Sequence, residues 1–438
     1  MLKFGTDGVR GVAGTELTPE LVLALGRAAA RVLGGDRFLV GRDTRRSGPM
    51  VEAALVAGLT AEGATVERLG VLPTPGVAHL SADEGVAAAV ISASHNAYAD
   101  NGVKLFAPGG LKLTDEVEAR LEAELFGEPA LRRAGQLGAV VDRHGYAERF
   151  VEHLVASIDG RRLHGLSVVL DCANGAGSEV GPEALRRLGA DVTVLCAEPD
   201  GTNINDGCGS NSPARLQAAV VAERADLGLA LDGDADRVIA VDHRGDVVDG
   251  DQLIAVCAVD LASRALLKDR TVVVTVMTNL GFRLGMAEHD LSVVETPVGD
   301  RNVLQALEDG GWSLGGEQSG HVIFRDLATT GDGILTGIQI LDVVRRAGRN
   351  VADLAAAAMT RLPQVLRNVR VERRPDDLDD RLASEVAAVE AELGDHGRVL
   401  VRPSGTEPLV RVMVEAPTAA QADAATARLV AAVERVCS

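Results

Sequence analysis

The sequence predicts an α/β protein: three related α/β modules followed by a smaller C-terminal α+β domain. Three observations predict it. An apolar strand, a turn of small and polar residues and a helix recur in that order at three wide intervals, the pattern of parallel α/β units. The last ~75 residues break that pattern. The length, 438 residues, suits three or four domains at roughly 100–200 residues each.

In the first module, Thr18 and Pro19 form an N-cap and N1 pair for a helix running through Val32. Arg37 to Val40 reads as a strand ending in Gly41-Arg42-Asp43, and a helix follows from near Ser47 through Met50 to Ala61. Val86 to Ile91 is a continuous apolar run, short enough for a buried strand. The pattern restarts with the strand Ser167 to Leu170, the turn Asp171-Cys172-Ala173-Asn174-Gly175 and a helix to about Leu188. It restarts again with Thr271 to Val276, then Met277-Thr278-Asn279-Leu280-Gly281 and another helix. In the last part Pro363 closes a helix, Val369 to Val371 is a strand, and a polar helix spans Asp379 to Leu393. Strands Arg398 to Val401 and Leu409 to Val414 flank a polar turn, and a helix capped by Thr418 ends the chain. The domains expected are 1–140, 141–250, 251–363 and 364–438.

Composition narrows the function. Hydrophobic residues make up 46% and aromatics only 2%, so the cores are built of Leu, Val, Ile and Ala, and base stacking is a poor binding mode. The net charge of −19 repels nucleic acid and anionic membrane, and an anionic substrate needs a local basic pocket. The five cysteines form no CxxC pair and are odd in number, which points to reduced thiols in a cytoplasmic protein rather than a disulfide framework or zinc site. Met1 to Gly11 has no apolar core of a signal peptide, and no apolar run approaches the ~20 residues that span a bilayer.

Five segments carry chemistry. Asp232-Gly233-Asp234-Ala235-Asp236-Arg237 follows the apolar strand Leu227 to Leu231. Three carboxylates at alternate positions in a glycine turn repel one another unless a cation sits among them. Few, hard oxygen ligands suit Mg²⁺ completed by a phosphate. An EF-hand is excluded, because its sixth and twelfth positions hold Arg237 and His243. Ser92-Ala93-Ser94-His95-Asn96 follows the strand ending at Ile91, where α/β sheets place ligands. Neighbouring side chains in an extended chain point apart, so a Ser94–His95 hydrolase dyad is not expected, and no GxSxG elbow surrounds the serine. A phosphorylated Ser94 held by the acidic triplet is the alternative.

Arg402-Pro403-Ser404-Gly405-Thr406-Glu407-Pro408, with Arg411 beyond, combines hydroxyls, a glycine and two arginines as a phosphate cradle does. In Gly315-Gly316-Glu317-Gln318-Ser319-Gly320-His321, an extended segment puts Glu317, Ser319 and His321 on one face; taken alone this reads first as a polar strand edge, and otherwise as a face for sugar hydroxyls. Gly5-Thr6-Asp7-Gly8-Val9-Arg10-Gly11 does not match a P-loop, but Arg10 can face an anion, and Lys104 adds a cation near Ser94.

Together and in this order, these segments resemble the α-D-phosphohexomutase superfamily along essentially the whole chain. GTDGVRG, GEQSGH and RPSGTEP are similar to its bacterial phosphoglucosamine mutase branch; the phosphomannomutase and phosphoglucomutase branches differ in the GEQSGH segment. The resemblance implies four domains around a central cleft. It implies a phosphoserine at Ser94 and one Mg²⁺ per chain on Asp232, Asp234, Asp236 and a phosphoserine oxygen. Arg237 would lie near the transferring group, and Arg10, His95, Lys104 and His321 are candidates for substrate contact or acid/base work. Glu317 and Ser319 would contact sugar hydroxyls; Arg402, Ser404, Gly405, Thr406 and Arg411 would hold the non-reacting phosphate. The implied reaction interconverts glucosamine 6-phosphate and glucosamine 1-phosphate, with glucosamine 1,6-bisphosphate as intermediate and activator. It feeds amino-sugar nucleotide synthesis for cell-wall precursors. The partner is a small sugar phosphate; a homodimer is left open.

Two positions depart from the family pattern: Ala97 stands where proline usually follows SHN, and Asn302 where an aromatic is common. A silent sugar-phosphate-binding protein would have lost Ser94 or part of the Asp triplet, and both are intact.

Overall fold

Short apolar runs become parallel strands where both their faces are covered, and this chain uses that solution three times. The computed structural model describes residues 8–126, 137–371, 375, 377–403 and 409–437. The chain forms two units, Met1–Met277 with Leu291–Ala356, and Thr278–Asp290 with Ala357–Ser438.

The first unit holds three sheets. Strands β1 (Val9–Val12), β2 (Arg37–Arg42), β3 (Thr65–Val71), β4 (Ala87–Ile91), β5 (Asp100–Ala107), β6 (Leu111–Lys112) and β7 (Val140–Asp142) form the first, ordered β1-β5-β4-β2-β3-β7 with β6 on β5. Strands β8 (Ser167–Asp171), β9 (Asp191–Leu195), β10 (Leu227–Leu231), β11 (Val238–Asp242) and β12 (Val247–Val248) form the second, ordered β12-β11-β10-β8-β9. Strands β13 (Thr271–Thr275), β14 (Ser292–Thr296), β15 (Leu314–Gly316) and β16 (Val322–Phe324) form the third, ordered β14-β13-β15-β16.

One plan underlies all three. A first strand lies between two parallel neighbours, and the third strand of each set pairs antiparallel with the fourth: β4 with β5, β10 with β11, β15 with β16. The central strands β4, β10 and β13 are buried along their whole length, which is why they read as unbroken apolar runs.

Helices α1 (Pro19–Leu33), α2 (Gly48–Ala61), α3 (Thr74–Glu84) and α4 (Asp115–Phe126) accompany the first sheet; α5 (Tyr146–Ala156), α6 (Gly177–Arg187) and α7 (Ala214–Glu223) the second. Then follow α8 (Gly250–Ser263), α9 (Leu280–Glu288), α10 (Asp300–Gly310), α11 (Gly333–Ala347) and α12 (Val351–Ala358). Thr18 caps α1 as expected, its hydroxyl accepting from Leu21 N at 3.3 Å. Leu25 of α1 and Leu55 and Leu59 of α2 pack in one core with Phe38, Val40, Ala89 and Ile91 of the sheet. No helix among the described residues is long and apolar enough to cross a membrane.

The second unit has a three-stranded antiparallel sheet of β17 (Gln364–Arg370), β18 (Arg398–Pro403) and β19 (Leu409–Glu415), ordered β17-β19-β18, with α13 (Leu378–Leu393) and α14 (Ala419–Cys437). Val410, Val412 and Val414 of β19 alternate into its core against Leu382, Val389, Leu429 and Val433. Helix α9 belongs to this unit: buried Glu415 accepts Leu280 N at 2.8 Å and the Asn279 amide at 3.3 Å. Two expectations change here. The helix before Pro363 ends at Ala358, and the strand is Gln364–Arg370 rather than Val369 to Val371. Only Val369 of that strand is buried, so its sequence shows no alternation to read.

Candidate active site

The turn joining the third strand to the antiparallel fourth is where the three modules put their polar segments. The β4–β5 turn carries Ser94, the β10–β11 turn carries the Asp triplet, and the β15–β16 turn carries Glu317 to His321. Gly233 lets the first two meet. A Cβ there would lie 2.6 Å from Ser94 O and 2.8 Å from Asn205 Nδ2. Gly320, at φ 89°, brings the third turn onto β11, where a Cβ would lie 2.0 Å from Val238 O.

Ser94 has φ 51°, in the left-handed region that serine rarely adopts. Its N–H donates to Ser92 Oγ at 2.9 Å, and Ser92 Oγ donates to Asp43 at 2.7 Å. The turn at Ser94 corrects the expectation for His95: the two side chains do not point apart, and Ser94 Oγ lies 3.5 Å from His95 Nδ1. Ser94 Oγ donates to Asp232 Oδ2 at 2.5 Å. Burial, with Arg237 and Arg10 nearby, lowers the His95 pKa to about 4, so its ring is neutral at neutral pH.

Asp232, Asp234 and Asp236 are all buried, and a ligand oxygen from each lies within 4.8 Å of the others. Burial and the two neighbouring carboxylates push Asp232 well above the usual carboxylate range. At Asp236 burial acts upward too, but Lys104, His321 and Arg237 outweigh it and hold the group well below that range. Among the described residues, Asp234 Oδ1 and Asp236 Oδ1 are buried without a hydrogen-bond partner. Two such oxygens in a three-carboxylate cluster fit a hard divalent cation.

The cations gather here. Lys104 Nζ lies 2.8 Å from Asp234 and 3.0 Å from Asp236. Arg237 Nε is 3.8 Å from Asp236, and its backbone N–H donates to Asp232 at 3.2 Å. Arg10, on β1 opposite Gly102 of β5, has its Cγ 2.8 Å from where a Gly102 Cβ would stand. A small cavity of about 20 Å³ beside Lys104 and Asp236 is lined also by Thr74, Lys112, Arg301 and Thr330. His321 is buried, its Nε2 accepting from Gly331 N at 3.1 Å. Its ring proton therefore sits on Nδ1, 3.8 Å from Asp236 Oδ1.

The segment Glu317 to His321 is not extended. Gly316 pairs with Val322, and Glu317 N donates to His321 O at 2.9 Å, so the five residues form a hairpin turn. Glu317, Ser319 and His321 therefore do not share a face. Glu317 Oε1 accepts Gly299 N at 3.0 Å, Ser319 is exposed and His321 points inward to Asp236 and Asp300. In the second unit, Arg402 of β18 and Arg411 of β19 stand opposite each other in register. Ser404, Gly405 and Thr406 lie outside the described residues.

Four residues at this site escaped the sequence reading. Arg45, wholly buried, donates from its guanidinium to the carbonyls of Ser94 (2.8 Å), Asn96 (2.9 Å), Asp100 (3.1 Å) and Ala97, and from Nε to Asp43 (2.8 Å). Asp43 also takes the Arg45 N–H at 2.9 Å. Asn205 donates to Ser94 O at 2.9 Å and Asn96 O at 3.0 Å. Thr74, at the start of α3, donates its hydroxyl to Asp234 at 2.6 Å. The signal available was the Asp43-Thr44-Arg45-Arg46 run directly after a strand, the same placement as the other polar turns.

Comparison with known proteins gives the same arrangement a family. Models of the phosphoglucomutase/phosphomannomutase α/β/α domains I, II and III match residues 1–131, 145–245 and 249–362, and that of the C-terminal domain matches 366–432. A phosphoglucosamine mutase of Frankia alni is 54% identical over 445 aligned residues, covering 98% of this chain and 97% of the relative. A phosphoglucomutase/phosphomannomutase family protein from Burkholderia thailandensis shares the fold, with TM-score 0.82 at 24% identity over 98% of this chain and 97% of its own. So does an N-acetylphosphoglucosamine mutase of Aspergillus fumigatus, solved with GlcNAc-6P and magnesium, with TM-score 0.72 at 20% identity over 100% and 96%. The chain belongs to the phosphoglucomutase/phosphomannomutase family, on its phosphoglucosamine mutase branch.

Proposed function

We infer that this chain catalyses the phosphoglucosamine mutase reaction, interconverting glucosamine 6-phosphate and glucosamine 1-phosphate by phosphoryl transfer. Identity of 54% to a phosphoglucosamine mutase along nearly the full length supports the substrate branch. One observation carries the chemistry: Ser94 Oγ stands 2.5 Å from Asp232, in a buried carboxylate triplet with two oxygens unpartnered among the described residues.

Ser94 is the phosphoryl carrier. The bond from phosphorus to Ser94 Oγ breaks as one forms to the free sugar hydroxyl, whose proton leaves to a base. The glucosamine 1,6-bisphosphate so formed turns over, and its other phosphoryl group returns to Ser94 Oγ by the reverse step. Arg45 and Asn205 fix the carbonyls around Ser94 and so aim its Oγ. Lys104 and Arg237 place positive charge where the transferring group carries negative charge. Neutral His95 beside Ser94 Oγ orients it, and His321, with Nε2 committed to Gly331, offers a proton from Nδ1. Arg10 contacts substrate. Glu317 and Ser319 read sugar hydroxyls, and Arg402, Ser404, Gly405, Thr406 and Arg411 hold the non-reacting phosphate. Mg²⁺ on Asp232, Asp234, Asp236 and a Ser94 phosphoryl oxygen supplies charge neutralisation when bound.

The test is turnover of glucosamine, glucose and mannose phosphates with Mg²⁺ and a trace of bisphosphate. Glucosamine 6-phosphate gives the highest kcat/KM, and Ser94→Ala lowers kcat by on the order of 10⁴ or more. A near-native rate in that variant removes Ser94 as carrier; preference for glucose or mannose phosphate moves the chain to another branch.

A further inference from the structure

Behind the Ser94 turn, the second sheet ends in a cluster the reaction leaves unused. Asp171 at the end of β8, Cys196 just past β9 and Cys208 before α7 bring a carboxylate oxygen and two thiol sulfurs within 4.8 Å of one another. Two features turn this cluster away from metal binding. Both Asp171 oxygens are engaged, Oδ1 accepting Ala173 N and Oδ2 accepting Gly209 N, each at 2.9 Å. The Arg215 guanidinium already places a positive charge 3.2 Å from Cys196 Sγ. What remains is a pair of thiols in contact.

The pair is asymmetric. Cys196 is half-buried, next to Arg215, with φ 49°; Cys208 is buried and receives a 3.9 Å approach from the Asn174 amide. Burial and then the Asp171 carboxylate raise both thiols, Cys208 to about 12, while Arg215 and the Cys208 thiol act against the rise at Cys196. Cys196 is thus the accessible, more readily ionised partner, and Cys208 the resolving one. The segment between them carries Asn205, which holds the Ser94 and Asn96 carbonyls, and Gly201, whose carbonyl accepts Arg46 N at 2.8 Å.

We propose that Cys196 and Cys208 form a reversible disulfide with a low-molecular-weight disulfide as oxidant, and that closing this ring displaces Asn205 and slows transfer at Ser94. The Cys196 thiolate attacks one sulfur of the oxidant, forming a mixed disulfide and releasing one small thiolate. Cys208, losing its proton, attacks Cys196 Sγ and releases the second. Two protein thiols are oxidised, one small disulfide is reduced to two thiols, and the protons pass to the released thiolates.

The full chain, reduced and then treated with glutathione disulfide, is followed by intact mass, thiol titration and peptide mapping. Two of the five thiols are lost, the mass falls by two hydrogens, one Cys196–Cys208 cross-link is found, and dithiothreitol restores both thiols. Cys208→Ser stops at a glutathione adduct on Cys196, and Cys196→Ser does not react. A lasting adduct in the unaltered chain, no thiol loss, a cross-link through Cys172 or Cys257, or one tightly held Zn²⁺ per chain on these thiols overturns the pairing. Mutase turnover of the oxidised chain falls about tenfold and returns on reduction, with Cys196→Ser unaffected; unchanged turnover in fully cross-linked protein overturns the coupling. The coupling rests on the mutase reading, whereas the mass and thiol results stand without it.

Discussion

At the scale of single residues, Arg45 shows how a buried charge can serve position. Its guanidinium meets four carbonyls of the Ser94 turn on one side and Asp43 on the other, so no part of the charge is left unpaired. Ala97, where the family pattern has proline, frees the chain at Asn96, and these forked hydrogen bonds supply the restraint that a ring would have given. Lysine carries the charge without the fork. Arg45→Lys lowers kcat about 10–100-fold with little change in KM, because the aim of Ser94 is lost while substrate contacts remain. A fall in melting temperature with kcat intact would reduce Arg45 to a structural part. Asp232 carries a second prediction. Burial and the two neighbouring carboxylates favour its protonated form, and that proton must leave when a divalent ion binds. Affinity for Mg²⁺ therefore rises with pH, and calorimetry shows proton release on binding. Affinity flat with pH, or falling, contradicts a proton favoured on Asp232. The acidic triplet and Ser94 were legible because each sits in a polar turn directly after an apolar strand. Arg45 had only its place in a polar run after a strand, and Thr74 and Asn205 had no signal, because each acts on a loop far along the chain and local spacing does not record such a contact.

At the scale of elements, the three sheets repeat one strand order while their sequences barely match, so the repeat showed only as three restarts. Strand order itself left no trace in hydropathy; the pairing of β4 with β5, β10 with β11 and β15 with β16 is what makes their turns equivalent. The third turn was misread because alternating polar residues look the same in an edge strand and in a hairpin; the antiparallel Gly316–Val322 pair decides between them. Helix packing adds a pH effect. His79 of α3 stacks on His153 of α5, with centroids 3.9 Å apart. Asp83 and Arg149 also act on His79, and the Leu327 backbone bonds His153. Burial, with His153 beside it, lowers the His79 pKa to about 4, and burial lowers that of His153. Both folded values lie below the unfolded value near 6.5, so the unfolded chain binds more protons in between. The contribution to stability is complete above about pH 6.5 and is lost as pH falls towards about 4. Since His79 is partly exposed, the loss is about 1–2 kcal/mol after screening. Denaturant titrations between those pH values, run with His79→Gln, show a shallower fall in the variant; parallel slopes would assign the acid sensitivity to carboxylates elsewhere.

At the scale of the whole molecule, the net charge of −19 sets the far field against the substrate class proposed. A sugar phosphate is an anion, yet Arg10, Lys104 and Arg237 gather at one site in a chain with 63 acidic and 44 basic residues. The site's cations thus act on an anion at close range against the far field, and salt separates the two by distance. At about 0.01 M ionic strength the Debye length is about 30 Å, so an approaching anion meets the charge of the entire surface; at about 0.1 M it is about 10 Å, and only nearby groups act. Pairs buried as deeply as Lys104 with Asp234 are screened far less. Raising salt over that range therefore removes repulsion before it weakens attraction. KM for glucosamine 6-phosphate falls as sodium chloride rises from about 0.01 to 0.1 M, with kcat steady, and climbs only at higher salt as chloride competes for the arginines. Steady-state kinetics at constant free Mg²⁺ reads this directly. A KM that climbs from the lowest salt upward would mean that the cations at the site govern approach even at long range, and that the acidic surface serves solubility alone.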